Sequence, residues 1–311
     1  MMAEGYGYGK TILFGEHFVV YGLPAIASAL GSRTIATVEN SKKYELVDNR
    51  PATPGYKKEK YDEQVVSNEN IFRSCGVDVQ RTPIRITLGG DLTAASGVGA
   101  SAASAAAIAR ALNGHFSLGF NDENINQIAY EGEKGYHGKP SGIDNTAAVY
   151  GGLIWFVKNL EGGSNTMERL GMKEPCEIVL GNTGLTSSTK KVVADVKADK
   201  EAAPEKYRRI FADYSDIVSS ARKALTSGKL DRVGELMSQN HKLLQEITVS
   251  CEELDLLVET ALKAGAFGAK LTGTGRGGLM QALTPGRKLQ EKVANAIEAK
   301  GFATFRTKIG V

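Results

Sequence analysis

The chain has 311 residues, with 38 Lys and Arg against 35 Asp and Glu and a net charge of +3 at pH 7. That length accommodates two domains with separate cores, and so balanced and dispersed a charge argues against nucleic acid or a membrane surface as partner. Hydrophobic residues make up 42% and charged residues 23%, ordinary for a globular protein. No apolar run approaches the roughly 20 residues of a membrane span, and no signal-peptide pattern opens the sequence. Cys75, Cys176 and Cys251 are odd in number and lack a C-x-x-C pair, which excludes a recognisable zinc site and fits a reducing compartment. A cytoplasmic location is expected. The oligomeric state is left open, a homodimer among the options.

In chain order, residues 12–21 and 34–47 cluster or alternate β-branched and aromatic residues as strands do, with a Gly-Leu-Pro turn between them. Residues 48–63 carry breaker residues and many charges and read as a mobile surface loop, with Lys57–Lys60 on its solvated face. A strand at 84–88 precedes a Gly-rich turn that runs into an Ala-rich helix over 101–112, and a second helix starts at Asn121 or Asp122 and continues to about Lys134. A compact turn at 137–142 delivers Ile143, Asp144 and Asn145. Beyond strands at 152–157 and 176–180, apolar residues recur with helical period over 204–226, 229–247 and 251–264. A second Gly-rich turn, 273–278, lies between two strand-like pieces. The composition changes near 182–190, which places a domain boundary between residues 182 and 183.

The stretch TAASGVGASAASAAAIARALNG (93–114) carries the most chemical information. First-turn N–H groups of a helix have no intrahelical acceptor, the helix dipole adds positive potential there, and glycines admit phosphate oxygens to the main chain. A phosphorylated ligand is therefore expected; the alternative is a close-packed helix–sheet contact without ligand. Gly97-x-Gly99-x-x-Ala102 also fits the loose dinucleotide pattern, but 122–134 reads as helix where a βαβ unit needs a strand. Gly9-Lys10-Thr11 looks like the end of a Walker A loop, yet Gly5 is too close and 12–14 reads as strand.

Four segments together resemble the GHMP family of small-molecule kinases: GKTILFGEHFVVYG (9–22), ASGVGASAAS (95–104), GEKGYHGKPSGIDN (132–145) and KLTGTGRGG (270–278). They span most of the chain in the family's order. The resemblance implies an α+β chain in two domains: a ribosomal-protein-S5-domain-2-like α/β half over 1–182 and a ferredoxin-like α+β half over 183–311. Glu-His followed by Val-Val-Tyr-Gly, and His-Gly-x-Pro-Ser-Gly-Ile-Asp-Asn, are the forms that separate the family's mevalonate kinases from its galactokinases, homoserine kinases and phosphomevalonate kinases. The implied reaction is transfer of the γ-phosphoryl group of ATP to the 5-hydroxyl of mevalonate with Mg2+, a step of isoprenoid and sterol biosynthesis. The rivals are a family kinase for another small alcohol and a catalytically silent nucleotide-binding member.

Carried over residue by residue, the resemblance gives the phosphates to the main chain of Ala95, Ser96, Gly97, Val98, Gly99, Ala100 and Ser101. It gives Mg2+ to Ser101 and Glu133, a sparse set suited to an ion that keeps waters and nucleotide oxygens. Asp144 and Lys10 are the catalytic pair. They also contact the acceptor, together with His17, Glu16 and Thr189. A carboxylate is a weak base toward an alcohol, so Asp144 is expected to orient and assist electrostatically as much as to abstract; a plain helix N-cap is its bland alternative. Lys190 stands where the family has Arg beside Thr189. Gly273, Gly275, Gly277 and Gly278 read as a ligand loop or a tight structural turn. His137 shapes its turn, while His115 and His241 read as packing residues. Departures from the family pattern are Tyr8, Ala100, Thr274 and Arg276, the last facing either an anion or solvent.

Overall fold

The computed structural model describes residues 2–95 and 97–311. These form two compact units: one holds the chain up to Lys10 together with Ala29–Gly151, the other Thr11–Ser28 together with Gly152–Val311.

In the first unit, strand β1 (Ala3–Phe14, as far as Lys10) pairs with β2 (Ala25–Asn40, from Ala29). β3 (Glu45–Asp48) follows, then helices α1 (Tyr56–Glu59) and α2 (Tyr61–Cys75), β4 (Ile84–Gly90), and helices α3 (Ala100–Phe116), α4 (Asp122–His137) and α5 (Ile143–Tyr150). β4 lies antiparallel to β2 and parallel to β3. Alternate residues Ile84, Ile86 and Leu88 of β4 and Ala36 and Val38 of β2 enter one core with the alanines of α3, the period-2 burial of a sheet with one covered face.

The Ala-rich helix is explained by how closely it lies on β1. A Cβ at Gly7 would sit 2.2 Å from the Ala103 carbonyl oxygen and one at Gly5 2.3 Å from that of Ala107. Only a glycine stripe facing an alanine stripe permits that approach. The close-packed reading of 93–114 therefore holds for the body of α3, and the ligand reading concerns its N-terminus.

The stretch 48–63 is not a free loop. It contains α1 and the start of α2; Asn49 donates to the Leu88 carbonyl and Thr53 to the Ala94 carbonyl, while Lys57 closes the stretch on itself. α2 escaped notice because its inward face holds Gln64, Ser67 and Asn68 beside Ile71, Phe72 and Cys75, which blurs the apolar stripe. The strand expected over 12–21 ends at Phe14, and a 3₁₀ turn covers Phe18–Tyr21.

In the second unit, Ala25–Ser28 of β2 pairs antiparallel with β5 (Leu153–Val157), which pairs with β6 (Thr166–Leu170). β7 (Cys176–Asn182) leads to helices α6 (Thr189–Ala202), α7 (Pro204–Ser227), α8 (Leu230–Glu246) and α9 (Glu252–Lys263). β8 (Gly268–Thr272), β9 (Leu279–Leu283), α10 (Arg287–Glu298) and β10 (Ala303–Ile309) complete the unit. The strands lie side by side as β10-β7-β9-β8, all antiparallel. This is the split β-α-β-β-α-β connectivity of a ferredoxin-like half, enlarged by extra helices after β7. Because β7 hydrogen-bonds to β9 and β10, residues 152–182 group with this unit. The compact units therefore divide after residue 151, not at the 182/183 boundary that composition suggested. Among the described residues no helix is long and apolar enough to cross a membrane.

Candidate active site

In the first unit the site is built around the start of α3. Gly99, in the left-handed region at φ 69°, is its N-cap, and among the described residues no side chain caps the first turn. The turn's N–H groups are thus not taken by a cap, and a side-chain-bearing residue would be strained at that φ. The loop rests on β1: the Lys10 amide donates to the Val98 carbonyl at 2.7 Å, and a Cβ on Gly99 would meet the Lys10 Cβ at 3.0 Å. Ala95, Gly97, Val98, Gly99, Ala100 and Ser101 all belong to this junction; Ser96 lies outside the described residues.

From the same residue, Lys10 Nζ reaches Asp144 Oδ1 at 2.9 Å, with 28% of the Asp144 side chain still exposed. Asp144 stands in the first turn of α5, whose N-cap is Gly142, so the bland capping role falls to the glycine. Glu133, on the inward face of α4, is fully buried; among the described residues neither carboxylate oxygen has a hydrogen-bond partner, and His137 Nε2 stands 3.8 Å from Oε2. Burial first, and the nearby Asp144 charge second, push it up to about 8, against the pull of the Ser101 hydroxyl and Lys10. A buried carboxylate with two unpartnered oxygens near a serine hydroxyl is costly unless something fills its valence. A hard divalent cation fits that donor set.

In the second unit, Glu16 and His17 follow Gly15 at the end of β1. Glu16 is sealed from solvent and ion-paired with Lys270 of β8, whose ammonium also donates to the Leu271 carbonyl at 2.7 Å. Sequence reasoning placed Glu16 toward substrate and gave Lys270 no role. The signal for Lys270 was a lysine inside an otherwise apolar strand, Gly268–Thr272, every residue of which is buried.

His17, at φ 63°, presents Nε2 to the Thr274 carbonyl at 2.6 Å. A carbonyl only accepts, so Nε2 carries the proton. Burial holds the ring below its ordinary pKa, so Nδ1 is a bare acceptor, and among the described residues it is buried without a partner. That free nitrogen can accept a hydrogen bond from a hydroxyl.

The glycine turn 273–278 is braced from several sides. Thr189, the first residue of α6, shares a 2.6 Å hydrogen bond with the Thr274 hydroxyl, and Ser187 donates to the Gly275 carbonyl. At Gly275, φ is 80° and a Cβ would lie 2.1 Å from the Val249 carbonyl oxygen, so the tight-turn reading accounts for that glycine. Arg276 braces the turn: it pairs with Asp195 at 2.5 Å and donates to the Thr248 carbonyl, with 31% of its side chain still exposed. Lys190 is exposed.

Two separately built halves, one presenting helix-start amides with a Lys–Asp pair and a buried acid, the other a ferredoxin-like sheet with a glycine turn, define a two-domain small-molecule phosphotransferase. The model for the GHMP kinases N terminal domain matches residues 65–152, and that for GHMP kinases C terminal matches residues 221–303. The chain belongs to the GHMP kinase family. It is similar to the mevalonate kinase of Pyrococcus horikoshii, 34% identical over 96% of this chain and 93% of that protein, and to that of Arabidopsis thaliana, 29% identical over 97% and 96%. Among solved structures, L. major mevalonate kinase in complex with R-mevalonate superposes with a TM-score of 0.93 at 40% identity, covering 98% of this chain and 95% of that one.

Proposed function

We propose that the chain is an ATP-dependent mevalonate kinase. The observation that carries the chemistry is Lys10: its amide holds the loop before α3 and its ammonium holds Asp144 at 2.9 Å. A group that accepts a proton and a group that neutralises charge are thereby fixed to the mouth of an amide-lined anion site. The likeness to the L. major enzyme, with the Glu16-His17 and 137–145 motifs, supports mevalonate as the alcohol.

The loop amides bind the triphosphate. Ser101 and Glu133 would hold Mg2+, which would supply neutralisation of the triphosphate's charge. A bond forms between the acceptor's hydroxyl oxygen and the γ-phosphorus while the bond from that phosphorus to the ADP oxygen breaks. The hydroxyl proton passes to the Asp144 carboxylate late in that process, because a carboxylate is too weak a base to take it earlier. Lys10 stabilises charge on both the oxygen and the transferring group. In the second unit, His17 Nδ1 accepts a hydrogen bond from a substrate hydroxyl and Thr189 lies on the same substrate side. Glu16, paired with Lys270, supports the His17 turn instead of touching ligand. Three free cysteines, two of them buried, suit a reducing compartment such as the cytoplasm.

A coupled ADP-release assay with mevalonate, phosphomevalonate, galactose and homoserine tests this reading. Turnover is expected with mevalonate alone. Preference for another alcohol would reassign the substrate, and tight ATP binding without turnover of any would make the chain a silent member.

A further inference from the structure

The segment 48–57 is fastened to both flanks of the loop that starts α3. Upstream of the loop, the Ala94 amide donates to the Pro51 carbonyl at 2.7 Å and the Thr53 amide to the Ala94 carbonyl at 3.1 Å, a short parallel bridge. Downstream, Arg50 crosses to the first turn of α3, where its guanidinium donates to the Ala100 carbonyl at 3.3 Å and to the Ser104 hydroxyl. The same guanidinium is gripped by both oxygens of Asp48, Nε to Oδ1 at 2.9 Å and the terminal nitrogen to Oδ2 at 2.6 Å. Lys57 closes the segment on itself by donating to the Asp48 carbonyl at 2.7 Å. The Arg50 side chain is only 4% exposed.

We propose that Arg50, oriented by Asp48, is a positioning residue for ATP: it fixes the downstream end of the phosphate loop while residues 51–53 fix the upstream end. This rests on the reading of 95–101 as the loop that binds the triphosphate. Four donations from one planar group, two to Asp48 and two to α3, hold the helix start in a single orientation relative to β3. An apolar side chain would fill that space with less desolvation, so what the guanidinium adds is direction. Loop amides aimed in advance bind phosphate without reorganising, which is where such donors gain most. Lysine lacks the planar fork and cannot serve Asp48 and α3 together.

The test uses the full chain with Arg50→Met, Arg50→Lys and Asp48→Asn, measuring kcat, KM for ATP, KM for mevalonate and the melting temperature with and without a non-hydrolysable ATP analogue. For Arg50→Met, KM for ATP rises about tenfold while KM for mevalonate stays within about twofold, the split expected when only the nucleotide's binding geometry loosens. Arg50→Lys recovers part of the loss, and Asp48→Asn shifts the ATP term in the same direction by less. Should Arg50→Met fail to fold, the other two decide. An unchanged KM for ATP in a cooperatively melting variant, or an equal rise in both KM values, overturns the positioning role. If the unaltered protein shows no analogue-dependent melting shift, the phosphate-loop reading itself falls and this inference with it.

Discussion

Two lysine–carboxylate pairs arise from one short motif, and they do opposite things. Lys10 meets Asp144 with 11% and 28% of their side chains exposed, whereas Glu16 meets Lys270 at 1% and 0%. An ion pair with an open side can exchange its partner for a substrate atom; one closed on every side can only hold elements together. Burial, more than residue type, separates chemistry from scaffold, and burial is what the sequence does not show for Lys270.

That contrast can be broken by experiment, the largest effect first. Asp144→Asn should lower kcat by about a thousandfold, within the range of a lost proton acceptor, while urea unfolding moves by no more than about 1 kcal/mol, as for a partly exposed pair; single-turnover ADP release and a denaturation curve check both halves. Lys270→Met should do the reverse at the level of the fold, removing about 3–5 kcal/mol by stranding the Glu16 carboxylate. Adding Glu16→Gln should return part of that stability, and no recovery in the double variant would show that the pair is not a closed unit.

A smaller effect sharpens the comparison through pH. His241, buried on α8, places Nε2 3.0 Å from Asp255 and takes the Leu271 amide on Nδ1, next in sequence to Lys270. Burial first pushes its pKa down to about 4, the Lys270 charge adding to this against the pull of Asp255. The unfolded imidazole titrates near about 6.5, so between those values the unfolded chain binds a proton that the folded chain refuses. Stability is therefore full above about pH 6.5 and falls as pH drops toward 4, by at most about 3 kcal/mol. Urea midpoints at several pH values should show that slope, and His241→Gln should flatten it.

What was legible in the residues was local. The Gly-to-Ala junction, the Asn121 cap with its reciprocal Asn124 contact, and the apolar faces of α7 and α8 each depend on neighbours a few positions away. The Lys10–Asp144 pairing was readable only by resemblance, since 133 residues intervene. Lys270, Arg50 and the split of the units were illegible for a physical reason: each is defined by partners far off in the chain, and a charged residue in a strand or a Pro-rich stretch looks solvated until its partner is known. His17 was named by resemblance, but which of its ring nitrogens is free was not legible. The tautomer depends on Thr274, which no spacing near His17 reveals.

The interleaved division of the units bears on how the molecule is made. Within this chain Thr11–Ser28 is made long before its partners: Ala25–Ser28 pairs with Leu153–Phe156 and Glu16 with a lysine 254 positions on. The first unit is complete in sequence at Gly151 and can assemble during translation, whereas 11–28, though β1 pairs with β2, must wait for β5 and then for Lys270 to be synthesised. Such long closures are slow and leave strand edges exposed, so nascent-chain aggregation, more than loss of the finished fold, is the hazard that substitutions in 11–28 would aggravate.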